Sequence, residues 1–148
     1  MTTAEILIHP NEILRQVSTP VETFDGELRD LASLLQSTMA AVRGLGLAAP
    51  QIGVLRRVAS VGKFLMVNPV IVWRSEELTP LEEGCLSILG RRTLVIRPAR
   101  VEVEYLDVAG ALKRVKLQGT MAKCAQHEID HLDGVLIIDH VAPLSSAA

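Results

Sequence analysis

Apolar residues Leu28, Leu31, Leu34, Leu35, Met39 and Val42 recur at steps of three and four. That period predicts an amphipathic helix from about Glu27 to Arg43, with Asp25 as its cap and Gly44 as its stop. Ahead of it, Ile13, Leu14 and Val17 predict a turn or two of helix before Pro20, serving packing. Beyond it the period shortens: Arg57 to Val61, Phe64 to Val67 and Val70 to Trp73 are short apolar runs punctuated by Gly62, Asn68 and Pro69. They read as strands. Val101 to Tyr105 alternates, Asp107 to Gly110 can turn, and Leu112, Val115 and Leu117 resume, which predicts a hairpin. Gly119 and Thr120 then open a second helix, apolar on several sides through Met121, Ala122, Ala125, Ile129 and Leu132, so it should be central and buried. Gly134 should end it, and Val135 to Ile138 is expected to form a closing strand. The fold class is α+β: antiparallel strands packed around a central buried helix.

That buried helix carries the chemistry. His127, Glu128 and His131 form an H-E-x-x-H pattern, and residues four apart share a helix face, so both imidazoles can point at one metal ion. Glu128 lies about 100° round the helix from His127, suited to moving a proton on a water rather than to ligation. A catalytic site of this type takes three protein ligands and keeps one position open. Cys124 is on roughly the same face, but it stands about 10 Å along the axis from His131, too far for one ion with bonds of about 2.0 to 2.3 Å. The third ligand must come from elsewhere in the fold. Cys85, in Leu81-Glu-Glu-Gly-Cys-Leu-Ser87, is a candidate against the plainer reading of a small buried hydrophobe.

Gly44-Leu-Gly-Leu-Ala-Ala-Pro-Gln-Ile-Gly53 is small and apolar except for Gln51. It lacks the third glycine of a dinucleotide fingerprint and follows a helix, so a tight helix-to-strand corner is the simpler reading. A buried Gln51 would need a polar partner. Composition adds limits. The chain of 148 residues is expected to be one domain, residues 1–148, without need of disulfides. It is 49% hydrophobic and 22% charged with net charge −2, which gives no reason to expect nucleic-acid binding. The first residues lack a basic region followed by a long apolar run, so neither a secretory signal nor a membrane anchor is expected. A cytoplasmic protein, or one of an organelle interior or host cytoplasm, follows, with Cys85 and Cys124 unpaired.

Three motifs in series give a more specific reading. Gly44 to Gln51, Glu83-Gly-Cys-Leu-Ser87 and Gln126-His-Glu-Ile-Asp-His131 resemble, in order, the three motifs of the peptide deformylases, and the similarity runs from about His9 to Asp139. The resemblance implies hydrolysis of the N-formyl group from N-formylmethionyl peptides, releasing formate. It implies Cys85, His127 and His131 as ligands of one divalent metal, Fe2+ in the cell, with Ni2+ or Zn2+ possible in preparations. Glu128 would be general base and then general acid, and Gln51 with the backbone N–H of Leu86 would hold the formyl oxygen. Carried over by position, the methionine pocket involves Leu45, Gly46, Leu81, Glu83, Thr120, Lys123 and Cys124. Thr120 stands where a larger apolar residue is common, and Leu89 where a proline often follows the second motif. The partners implied are nascent formylmethionyl chains. The long C-terminal helix tied to ribosome docking in many members is missing after His140, which leaves ribosome association open.

A metalloprotease using the same clamp, or a metal-stabilised module without catalysis, are the other readings. The Gly-Cys-Leu motif argues against the first, and Glu128 with Gln51 against the second. Arg97 and Asp130 are expected to form a buried pair behind the site. Arg91, Arg92 and Arg100 read as surface charges, His9 and His140 as structural or exposed, and Trp73 as core or interface packing.

Overall fold

The computed structural model describes residues 2–140. The α1 helix spans Gly26–Ala41, and Asp25 caps it by accepting a hydrogen bond from the Leu28 N–H at 3.1 Å. Its end differs from expectation: the left-handed residue is Arg43, with φ 54°, and Gly44 follows it, donating its N–H to the Met39 carbonyl at 3.0 Å. Glu12–Arg15 makes one turn of 3-10 helix.

Strands β1 (Gly46–Ala48), β2 (Val58–Val61), β3 (Phe64–Arg74), β6 (Arg100–Leu106) and β7 (Leu112–Gln118) form an antiparallel sheet in the order β1-β2-β3-β6-β7. Strands β4 (Leu78–Cys85) and β5 (Ile88–Pro98) make a separate two-stranded ribbon. The α2 helix spans Gly119–Leu132.

Side-chain alternation explains the layering. Val58 joins Leu28, Leu31, Leu35 and Leu47 in one apolar cluster, while Val61 joins Ala122, Cys124, Ala125 and Ile129 in another. Residues of opposite parity on one strand face opposite ways, so α1 and α2 cover opposite faces of the sheet near β2. All four β2 residues are buried, the consequence of cover on both sides. Each leucine that α1 buries contributes about 1.5–3 kcal/mol.

Two expectations need correction. Asn68 and Pro69 do not end a strand: β3 runs through them with a shift of register between Val67 and Val70. Asn68 takes φ 50°, a conformation its short amide tolerates, and that amide exchanges hydrogen bonds with the Val21 backbone at 2.8 and 2.9 Å. The predicted closing strand is instead a 3-10 turn over Ile137–His140. Gly134, with φ 74°, does end α2: its N–H reaches the His131 carbonyl at 3.1 Å, and a Cβ there would lie 2.5 Å from the Arg15 carbonyl oxygen. Trp73 is 47% exposed with the Arg100 guanidinium over its ring, so it is not core. The tail beyond His140, on which the expectation of a missing helix rests, lies outside the described residues. No helix among them is long and apolar enough to cross a membrane.

Candidate active site

Two elements meet at one point. Strand β4 ends at Cys85, where the register against β5 slips between Gly84 and Cys85. Facing it, α2 presents His127 and His131, both buried. The two Nε2 atoms are 3.2 Å apart, His131 Nε2 lies 3.4 Å from Cys85 Sγ, and the three donor atoms fall within 4.8 Å of one another. Tetrahedral ligation with ordinary bond lengths would separate two nitrogens by about 3.3 Å and sulfur from nitrogen by about 3.6 Å. The cluster therefore fits one metal ion without rearrangement. Cys124 stands outside it, as the helix rise requires, with its thiol directed at the Leu45 carbonyl at 3.4 Å. Burial and the charge of Glu128 push that thiol's pKa up, leaving a neutral wall residue.

Behind the cluster runs a chain of charges. His127 Nδ1 lies 3.0 Å from Glu83 Oε1, and because a carboxylate only accepts, the ring carries a proton at Nδ1, which leaves Nε2 as the atom that faces Cys85 and His131 and would ligate a metal once its own proton is displaced. Arg97 grips Glu83 with two hydrogen bonds of 2.6 and 3.0 Å and reaches Asp130 at 2.9 Å. His140 Nε2 contacts the same Asp130 oxygen at 2.8 Å. The expected Arg97–Asp130 pair is present, yet Glu83 is its stronger member. Burial alone would raise the Glu83 pKa, but the hydrogen bonds from His127 and Arg97 hold it down at about 2.

The cluster favours positive charge. Burial pushes the His127 pKa down, and the contact with Cys85, the charge of Glu128 and the bond to Glu83 outweigh it, raising the value to about 10. Burial and the charge on His127 press His131 well below the ordinary histidine range. A cysteine sulfur and two imidazole nitrogens are a donor set that suits a divalent metal.

Beside the cluster, Glu128 is 4% exposed, and its Oε1 has no hydrogen-bond partner among the described residues. Burial raises its pKa to about 7, against the lowering charge of His127. Gly46 makes room for it: a Cβ on that residue would come 2.5 Å from Glu128 Oε2 and 2.7 Å from Cys124 Sγ. Gln51, 1% exposed, sits on a 3-10 turn over Ala49–Ile52, so the Gly44–Gly53 stretch is a corner and a site wall together. Its Oε1 accepts from the Ala48 N–H at 2.9 Å, which turns Nε2 toward Ser87 Oγ at 3.1 Å and Cys85 Sγ at 3.9 Å. A cavity of about 350 Å³ opens over these groups, lined also by Leu45, Gly46, Glu83, Leu86, Lys123 and Cys124. Two residues expected in the pocket fall elsewhere. Leu81 lines a neighbouring cavity and Thr120 is exposed in the first turn of α2.

Three features escaped the sequence reading. Ser87 pairs with Gln51, and the N-terminal segment laces the corner to the β4–β5 turn through Leu7 N–H to the Gln51 carbonyl and His9 N–H to the Ser87 carbonyl, at 2.7 and 2.8 Å. Glu83 was expected in the methionine pocket, and what escaped is its contact with His127; the signal was that residues two apart on a strand share a face and Cys85 is two residues on.

A cysteine sulfur and two imidazoles converging on one point, with a buried unpartnered carboxylate beside them in an open cavity, define a mononuclear metallohydrolase. The sequence profile of the polypeptide deformylase family matches residues 3–147. The peptide deformylase of Rhizobium meliloti (strain 1021) is 47% identical, covering 97% of this chain and 88% of the relative. That of Phenylobacterium zucineum (strain HLK1) is 46% identical, covering 97% and 90%. Among solved structures, peptide deformylase from Ehrlichia chaffeensis in complex with actinonin matches with a TM-score of 0.94 at 36% identity, covering 99% of this chain and 93% of that one. The Thermotoga maritima enzyme matches at 0.92 and 35%, covering 97% and 100%. The chain belongs to the polypeptide deformylase family, metal-dependent hydrolases that remove the N-formyl group from nascent peptides.

Proposed function

We propose that Cys85, His127 and His131 hold one divalent metal and that Glu128 and Gln51 work on the formyl amide beside it. The observation that carries this reading is the unpartnered Glu128 Oε1 next to three convergent donors. A bound divalent metal supplies the Lewis acidity that lets water give up a proton near neutral pH. Glu128 accepts that proton as the water oxygen adds to the formyl carbon, and returns it to the peptide nitrogen as the C–N bond breaks. The products are formate and a free amino terminus. Negative charge builds on the formyl oxygen meanwhile, and Gln51 Nε2 with the Leu86 backbone N–H donates to it, fixed in advance by the Ala48 and Ser87 contacts of the amide. Glu83 and Arg97 keep His127 in the ligating tautomer.

The resident ion is proposed to be ferrous iron, with nickel or zinc able to replace it, since the donor set suits all three. The substrates are nascent N-formylmethionyl chains in the compartment where they are made, and docking on the ribosome is not needed for the chemistry. The test is formate release from a short formyl-Met peptide by protein purified without oxygen and loaded with ferrous iron or nickel. Formate in step with loss of the formyl peptide supports the reading. With metal bound and no formate formed, deformylation falls and cleavage of unformylated peptides is assayed in its place.

A further inference from the structure

The segment ahead of Pro10 forms no helix or strand, yet its backbone is tied to three separate elements. The Ala4 N–H donates to Thr38 Oγ1 on α1 at 2.9 Å, the Leu7 N–H to the Gln51 carbonyl at 2.7 Å, and the His9 N–H to the Ser87 carbonyl at 2.8 Å. Successive side chains then anchor it on two sides. Ile6 packs on the cluster of Leu28, Leu35 and Leu47, and Leu7 joins Val95, Ile137 and Cys85 in another. Extended chain advances about 3.3 Å per residue, so the donors of Leu7 and His9 stand roughly 6–7 Å apart. That span separates the Gln51 corner from the Ser87 turn, and the two residues meet again where Gln51 Nε2 donates to Ser87 Oγ at 3.1 Å. The tie at Gln51 also answers a local need. In the 3-10 turn over Ala49–Ile52, the following N–H groups of Gly53 and Val54 return to the carbonyls of Ala49 and Pro50, and the Gln51 carbonyl takes its hydrogen bond from Leu7.

Resting on the deformylase reading, we propose that Leu7 is a positioning residue for the reaction: its N–H fixes the main chain of Gln51 and so sets where the Gln51 amide nitrogen stands. The side-chain bonds to Ala48 and Ser87 orient that amide, but they swing with the turn unless its backbone is held. A donor to a developing negative charge works by being in place beforehand, and a misplacement of about 1 Å can cost on the order of a hundredfold in rate. The N-terminal segment thereby carries the rigidity of α1 to the site without touching the substrate.

The test is a double-mutant cycle on metal-loaded full-length protein, with kcat, KM and metal content measured on a formyl-Met peptide. Leu7→Pro removes the N–H. Ile8→Pro stiffens the same segment and leaves the Leu7 tie in place, since the Ile8 N–H donates to no group among the described residues. In Leu7→Pro, kcat should fall about tenfold with KM and metal content unchanged, and Ile8→Pro should stay near wild type. In a Gln51→Ala background Leu7→Pro should cost nothing further, because no donor is left to place. A further tenfold loss in the double variant means that Leu7 acts on the fold at large and overturns the proposal. Wild-type kcat in Leu7→Pro, or an equal loss in Ile8→Pro, overturns it too. Each of these outcomes leaves deformylation standing, whereas a metal-loaded wild type that releases no formate removes the deformylase reading and this role together. If circular dichroism shows Leu7→Pro unfolded, Leu7→Gly, which loosens the segment, goes through the same cycle and is judged by the same absence of further loss without Gln51.

Discussion

Gln51 illustrates how the fold fixes one side chain that is proposed to act in the chemistry. Its amide oxygen is held by the Ala48 N–H, so the amide nitrogen has one direction left, toward Ser87 and the cysteine corner of the site. Replacing Gln51 with Ala removes that donor, and kcat for formyl-Met peptide should fall about a hundredfold or more with metal content unchanged. Gly46 is constrained from the other side. Because a Cβ would lie 2.5 Å from Glu128 Oε2, Gly46→Ala must displace the carboxylate or the strand that carries it. Activity should drop at least tenfold, since a misplaced proton-transfer group loses most of its effect. Steady-state kinetics on the folded variant checks this; undiminished kcat would mean the carboxylate moves without cost.

At the scale of elements, α2 and the β4–β5 ribbon are joined by charge more than by apolar contact. Glu83 comes from β4, Arg97 from β5, His127 and Asp130 from α2, and all four meet in one network. Arg97→Met leaves two carboxylates facing an apolar thioether, a loss of about 3–5 kcal/mol for breaking a buried pair from one side. Chemical denaturation should register it as a lower midpoint at unchanged slope. Glu83→Gln is milder for stability and should weaken metal affinity about ten- to a hundredfold, read by competition with a chromogenic chelator. The sequence made α2, α1 and the β6–β7 hairpin legible because each has a clean period and a physical stop. The course of β3 was not, since Asn68-Pro69 is ordinary turn punctuation and the partners that keep it in the sheet, the backbones of Val21 and Arg57 and strand β6, are distant in sequence. The same held for Glu83. Period two put it beside Cys85, but nothing local said that Arg97 would fold back to neutralise it.

For the whole molecule, the sheet is closed on one face by α1 and on the other by α2, while the site lies where α2 meets a ribbon outside that sheet. A metal bound there links the ribbon to the helix and binds only the native state, so it should stabilise the fold. Stripping it with a chelator is expected to lower Tm by several degrees at a chelator excess, and adding back nickel should restore it; an unchanged Tm would argue that the cluster is empty in the native protein. The motif triplet fixed the family from sequence alone, whereas the pocket did not follow position by position, as Leu81 and Thr120 lie outside the cavity that holds the reactive groups.

The most direct test of the central claim is formate release by Glu128→Ala beside the wild type, with the metal content of both measured on the same samples. Glu128 is proposed to move the proton and not to hold the ion, so the variant should bind about one metal per chain and lose at least a hundredfold in kcat. A variant that keeps its metal and still releases formate at the wild-type rate would contradict the account.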